Sequence, residues 1–330
     1  MLVINTITTD KVEMMHRFFY TAAAGVMLAC MPAQGAEWLV DLEAAKDKAR
    51  AVGKLVLVDF TGSDWCGWCI YLRSNILDTA AFQKYAADKF VLMEVDVPKN
   101  VNKIGAELHA RNREITKRYG VSTFPTMLVL SPEGDVMGGF VGGRDAMEYV
   151  VEPLDKALDN YTKTTAARKL QGEARARALM EVYNAQPDTL KQNFRTMRDE
   201  IAEFDPNNST GIHTLIAETN RLEKLEQIAQ SPDANYRPVL KQFDAAYAEA
   251  TDEFKAKIQR LRLTYLERVQ HQLVMNIKTT DDVAELKNLM LIIADYSDAR
   301  DAAAIKQEIE TMFQDPQEVL KTLKKKQQAQ

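Results

Sequence analysis

The chain has 330 residues, more than one hydrophobic core usually organises, so two domains are expected. With 46% hydrophobic and 27% charged residues the composition is that of an ordinary globular protein, and a formal net charge of -5 argues against nucleic acid as its main partner. Three cysteines are too few for a scaffold stapled by disulfides.

The first apolar stretch, from Phe18-Phe19 to Val26-Met27-Leu28-Ala29, is about a dozen residues long, short of the roughly 18 that span a bilayer. His16 and Arg17 precede it, and Ala33-Gln34-Gly35-Ala36 supplies small residues after it. A basic start, an apolar core and a small-residue cleavage site read as a secretory signal peptide over 1–35, cut after Gly35. The polar run from Asn5 to Glu13 fits this less well, and Met14 or Met15 is an alternative start. An uncut anchor and a lipidated Cys30 are the other readings. Cleavage would leave Cys66 and Cys69 as the whole thiol complement of a periplasmic or secreted protein.

Between about 37 and 160, helical and strand patterns alternate. Leu42 to Val52 reads as a helix stopped by Gly53, and Leu55-Val56-Leu57-Val58 as a strand buried on both faces. A helix is expected from near Cys66 past Leu72, with Phe82 to Ala87 as its continuation or a separate short helix. Phe90 to Val95 is a second buried strand, and Ile104 to Tyr119 a polar-faced helix ended by Gly120. Thr126 to Leu130 and Val136 to Val141 flank the turn Pro132-Glu133-Gly134-Asp135 as a hairpin. Asp145 to Leu158 closes the region as a helix bent at Pro153. Strands linked first by helices and then by a hairpin predict a mixed sheet with helices on both faces.

From 161 to 330 the strand signals vanish. Apolar stripes at Leu190, Phe194, Met197, Ile201 and Phe204, at Ile258, Leu261, Tyr265 and Val269, and at Val283, Leu286, Leu289, Met290 and Ile293 predict an all-helical domain. Breaks fall at Pro187, Pro206 to Gly211, Ser231-Pro232 and Thr279-Thr280, and no sequence repeat marks a solenoid. Lys324-Lys325-Lys326 is expected to be a frayed, solvated tail.

Chemistry concentrates at Trp65-Cys66-Gly67-Trp68-Cys69. Two cysteines three apart can bind a metal, form a structural bridge or exchange disulfides. Zinc needs four ligands, yet there is no second pair, and His109, His213 and His271 are scattered, so neither metal nor cofactor is expected. His109 reads as a surface residue on a charged helix. A bridge across so short a loop would stabilise little. Exchange fits best. A helix N-terminus favours a thiolate at Cys66, the attacking species, with Cys69 one turn deeper to resolve the mixed disulfide. Asp64 is either the N-cap of this helix or an acid opposing the thiolate, the cap being favoured.

Val58-Asp59-Phe60, Trp65-Cys66-Gly67-Trp68-Cys69, Tyr119-Gly120-Val121, Thr123-Phe124-Pro125-Thr126 and Val141-Gly142-Gly143 together resemble the thioredoxin family. Within it, the run DFTGSDWCGWC is similar to secreted thioredoxin-like thiol–disulfide interchange proteins. The resemblance covers about 38–160 and leaves the helical remainder unmatched. It implies an α/β thioredoxin fold at 36–160, followed by the all-helical domain at 161–330. It also implies Cys66 as nucleophile, Cys69 as resolving cysteine, Pro125 as a cis-proline facing the disulfide, and Asp59 as the buried acid that assists proton transfer at Cys69. Phe124 would pair its backbone with substrate. Trp65, Gly67, Trp68 and Gly142 would complete the substrate-binding surface, with Trp68 partly exposed. Two departures stand out. Gly67-Trp68 replaces the usual Gly-Pro, and the loop from Asp59 to Cys66 is one residue longer than in thioredoxin.

The expectation is therefore an exported thiol–disulfide oxidoreductase, reductase or isomerase rather than oxidase. Its partners would be protein disulfide or dithiol substrates and a membrane-linked or soluble redox partner. Homo-oligomerisation through the helical domain is left open. The alternative is a client- or partner-binding protein in which the helical domain binds and the CxxC is a redox switch.

Overall fold

The computed structural model describes residues 37–230, 235–296 and 302–328, so the signal-like segment and Cys30 lie outside the described residues. The contacts divide the chain into two compact units, up to Pro206 and from Asn207.

The first unit is built on a five-stranded mixed sheet. Its strands are β1 (Trp38–Leu39), β2 (Leu55–Thr61), β3 (Phe90–Asp96), β4 (Thr126–Leu130) and β5 (Val136–Val141), in the order β1-β3-β2-β4-β5. β3 runs parallel to β1 and β2, whereas β4 is antiparallel to both β2 and β5. Every residue of β2 is buried, as its unbroken apolar run requires of a central strand covered on both faces. β1 is too short to carry a periodic pattern and was not anticipated.

The helices are α1 (Leu42–Val52), α2 (Gly67–Leu72), α3 (Ala80–Ala87), α4 (Ala106–Arg118) and α5 (Met147–Ala167). The Asp41 carboxylate caps α1 by accepting from Ala44 N at 2.9 Å, and Gly53, at φ 68°, ends it in the left-handed conformation. α2 widens directly into a π-turn over Arg73–Leu77, and α3 is a separate helix. Leu55 and Leu57 of β2 and Met127 and Val129 of β4 point to one face. There they pack with Leu72 and Leu77, Phe82 of α3, and Val150 and Leu154 of α5. By strand alternation Asp59 points to this same face. Val58 and Phe60 point to the other, where Phe60 meets Tyr119 edge-on at 6.2 Å between ring centroids.

α5 does not end at Leu158. It continues through Pro153 to Ala167, with Asn160, Thr164 and Ala167 buried. Three further helices, α6 (Gly172–Asn184), α7 (Asp188–Lys191) and α8 (Arg195–Phe204), pack in the same unit. The apolar stripe from Leu190 to Phe204 is thus divided between α7 and α8. The 160/161 boundary read from the sequence falls inside α5. Loss of strand signal marks the end of the sheet, and the unit continues beyond it to Pro206.

The second unit is helical: α9 (Ile212–Ala229), α10 (Arg237–Glu249), α11 (Asp252–Asn276), α12 (Thr280–Tyr296), α13 (Ala302–Met312) and α14 (Pro316–Gln328). Phe243, Ile258, Tyr265, Val269 and Leu289 form one core, and Val283, Leu286, Ile309 and Phe313 a second. Lys324, Lys325 and Lys326, expected to fray, are exposed but helical. Val319, Leu320 and Leu323 anchor α14 on the second core, and Gln327 Nε2 donates to Val274 O at 2.6 Å. Among the described residues no helix is long and apolar enough to cross a membrane.

Candidate active site

The carboxyl end of β2, the entry to β4 and the exit of β5 lie at one end of the sheet. Phe60 pairs with Thr126 and Thr126 with Val141, so the register brings Pro125, the Gly142 turn and the loop after Thr61 together. Gly142 N donates to Pro125 O at 2.8 Å. The Phe124–Pro125 peptide bond is cis.

The loop from Gly62 to Cys66 is clamped to the segment that follows β3. Ser63 N and Oγ donate to the Asp96 carboxylate at 2.9 and 2.5 Å, and Lys103 Nζ donates to Ser63 Oγ at 2.7 Å. Asp64 does not cap α2. Its exposed carboxylate accepts from Lys99 N and Asn100 N, each at 2.8 Å, and these bonds hold it below the usual aspartate range, with Asn100 the larger influence. The helix cap is Cys66 itself, whose sulfur accepts from Cys69 N at 3.2 Å. Cys66 and Cys69 are joined in a disulfide, 7% and 2% exposed.

The two tryptophans of the motif each lie on a glycine. Trp65, 40% exposed, lies on Gly62, where a Cβ would fall 2.3 Å from its ring. Its Nε1 donates to Val97 O at 2.9 Å, and its ring meets Phe124 edge-on at 5.5 Å. Trp68, 55% exposed, lies on Gly143 in the same manner, with the position of a Cβ again 2.3 Å from the ring. Gly67 is exposed at the first helical position, with nothing within 4 Å of where a Cβ would sit. Nothing in the sequence marks Gly62 and Gly143 for this role, because the close approach that demands glycine involves the far side of a ring, which no local pattern records.

Asp59 is buried on the face that carries α2 and its π-turn. Burial pushes its carboxyl up to about 7, against the pull of the Arg73 guanidinium and with the nearby charge of Glu94 adding to the rise. Arg73 Nη2 donates to Asp59 Oδ2 at 3.1 Å and also to Glu94, while its guanidinium lies 4.1 Å over the Trp38 ring. Asp59 Oδ1 is buried without a hydrogen-bond partner. Arg73, Glu94 and Trp38 were not anticipated. They lie 14, 35 and 21 positions from Asp59 in sequence, and only the fold assembles them.

The arrangement is a disulfide between cysteines three apart at the head of a helix, with a cis-proline at the same end of the mixed sheet. Residues 42–152 match the family model of the thioredoxin-like domain, and the chain carries such a domain. It is similar to the disulfide bond reductase DsbH of Chlamydia pneumoniae, 35% identical over 104 residues, which are 31% of this chain and 62% of that protein. It is also similar to the thioredoxin-related protein DsbJ of Chlamydia pneumoniae, 30% identical over 96 residues, 29% of this chain and 27% of that one. The chain therefore spans less than two thirds of the length of either relative. The solved structure of a DsbH oxidoreductase aligns at 27% identity over 42% of this chain and 98% of its own, with a TM-score of 0.35.

Proposed function

We propose that this protein is an exported thiol–disulfide oxidoreductase, acting in the periplasm or outside the cell on protein disulfides, in the direction of reduction or isomerisation. The observation that carries the reading is the Cys66–Cys69 disulfide at the cap of α2, its sulfur already the acceptor of a backbone N–H. In the reduced protein that N–H and the helix terminus favour the thiolate at Cys66.

The exchange balances within the pair. The Cys66 thiolate attacks one sulfur of a substrate disulfide, forming a mixed disulfide and expelling the other sulfur as a thiolate that takes up a proton. Cys69, deprotonated towards Asp59, then attacks Cys66, releasing the second substrate thiol and closing Cys66–Cys69. Two electrons pass to the substrate. A membrane-linked or soluble dithiol partner restores the reduced pair. Asp59 suits this role because one oxygen is engaged by Arg73 while the other has no partner, and its proton affinity lies near neutrality. Trp65, Gly67, Trp68, Phe124 and Gly142 form the surface that meets substrate, with Pro125 beside the sulfurs. The similarity to a protein named as a disulfide bond reductase supports the direction of electron flow.

Cys69→Ala tests the mechanism. It is expected to accumulate mixed disulfides on Cys66, visible as adducts on a non-reducing gel and absent from Cys66→Ser/Cys69→Ala. Failure to form Cys66-dependent adducts, together with failure of the native protein to reduce insulin in the presence of dithiothreitol, would sink the proposal.

A further inference from the structure

An open groove of about 710 Å³ lies against Trp65 and Phe124, the residues that precede Cys66 and Pro125. One wall is the segment after β3, with Val97 and Lys99. The other is α4, where His109, Arg113, Thr116 and Lys117 recur at the spacing of one helical stripe. The floor is apolar, made by Trp65, Phe124 and Val121.

The rim carries one sign of charge. Lys99, Arg113 and Lys117 are exposed along it, and no aspartate or glutamate lines it. Among the described residues none of these three cations is ion-paired with a carboxylate. Asp96, three residues before Lys99, is buried and accepts from Ser63, and Asp64 on the adjoining loop accepts from Lys99 N and Asn100 N. The chain as a whole has a net charge of -5, so this positive strip is a local feature. Three unpaired cations around an apolar trough repel one another, and an occupant that brings negative charge relieves that repulsion.

We propose that this groove binds the substrate polypeptide next to its reacting cysteine and selects segments that pair an apolar residue with acidic neighbours. This rests on the oxidoreductase reading and deepens it. The apolar residue lies on Trp65 and Phe124, and the acidic side chains reach Lys99, Arg113 and Lys117. A polypeptide is the occupant that fits, because Trp65 and Phe124 belong at once to the trough and to the surroundings of the two sulfurs.

The test uses the full chain and three disulfide-linked fluorogenic peptides that differ only at two positions flanking the cysteine, which are glutamate, glutamine or lysine. With dithiothreitol as the electron source, kcat/KM is expected to fall in that order. About tenfold should separate the acidic from the basic peptide at low salt, expressed mainly in KM and shrinking at high salt. The variant Lys99→Glu/Arg113→Glu/Lys117→Glu is expected to invert the order. Equal kcat/KM for the acidic and basic peptides of the native protein at low salt overturns the groove proposal and leaves the oxidoreductase reading intact. An order unchanged in the variant overturns it as well. Turnover of none of the three peptides removes both.

Discussion

Asp59 holds a carboxyl that burial keeps near the point of half-ionisation in the neutral range. The consequence for stability has a definite sign. Its folded pKa, about 7, lies above the ordinary value of 3.8, so between those limits the folded chain binds a proton that the unfolded chain has released. Stability contributed by this group is fully present below the unfolded value and is lost as pH rises to about 7. At about 1.4 kcal/mol per pKa unit the loss is on the order of 4 kcal/mol. Asp59→Asn should remove that slope. Urea denaturation from pH 4 to pH 8 is expected to show native stability declining with pH and a flatter profile for the variant, which becomes the more stable protein at pH 8. A variant that keeps the native slope would place the responsible titration elsewhere. Arg73 softens the penalty, because its Nη2 reaches Asp59 while the guanidinium is held over Trp38 and against Glu94. The acid itself was legible in the sequence as part of Val58-Asp59-Phe60. Its cation was not, since Arg73 carries no mark that separates it from any other charged residue on a helix until the π-turn places it under β2.

At the scale of elements, the two tryptophans next to the cysteines are seated on glycines from other turns of the chain, Gly62 and Gly143. The loop before Cys66 folds so that Trp65 lies on Gly62 while its Nε1 is tied to Val97 O. A methyl group on Gly62 has no space without moving the indole, and the indole is bonded at its far end. Gly62→Ala is therefore expected to cost about 1–3 kcal/mol, read by urea denaturation, and to shift the tryptophan emission as Trp65 leaves its seat. Gly67→Ala is the contrasting case. The position is helical and exposed with open space around it, so the substitution is expected to leave stability unchanged or raise it by up to about 1 kcal/mol. Equal losses for the two variants would mean that the ring contact at Gly62 is not what fixes the loop. The strands and the helices that flank them were legible because burial on both faces leaves unbroken apolar runs, as in Leu55 to Val58 and Phe90 to Met93. β1 was not, because two residues make no pattern. The break between α7 and α8 was missed because Leu190, Phe194, Met197 and Ile201 keep helical spacing across it, all four buried.

For the whole molecule, the question is where one cooperative unit ends. Residues 161–206 contain no strand, yet they supply groups that the sheet unit uses. Arg168 Nη2 donates to Asp135 in the β4–β5 turn and to Glu200 of α8, each at 2.7 Å. Asn193 Nδ2, buried between α7 and α8, donates to Tyr119 O at the end of α4 at 2.7 Å. Leu179, Val182, Phe194, Met197 and Ile201 are buried beside these bonds. The chain cut at 160 would lose the last two turns of α5, expose the apolar surface beneath α6–α8, and leave the Tyr119 carbonyl without this partner. Burying one large apolar side chain contributes about 1.5–3 kcal/mol before the entropy of ordering is subtracted. A polypeptide of residues 37–206 is therefore expected to unfold in one cooperative transition in urea. Residues 37–160 should be less stable by on the order of 3 kcal/mol or more, with a smaller m value, or should fail to remain soluble. Residues 207–330, with their own two cores, are expected to unfold in a separate transition. If 37–160 matched 37–206 in midpoint, the helices after α5 would be an appendage to the sheet. The cooperative unit would then end where the strand signals end, at 160.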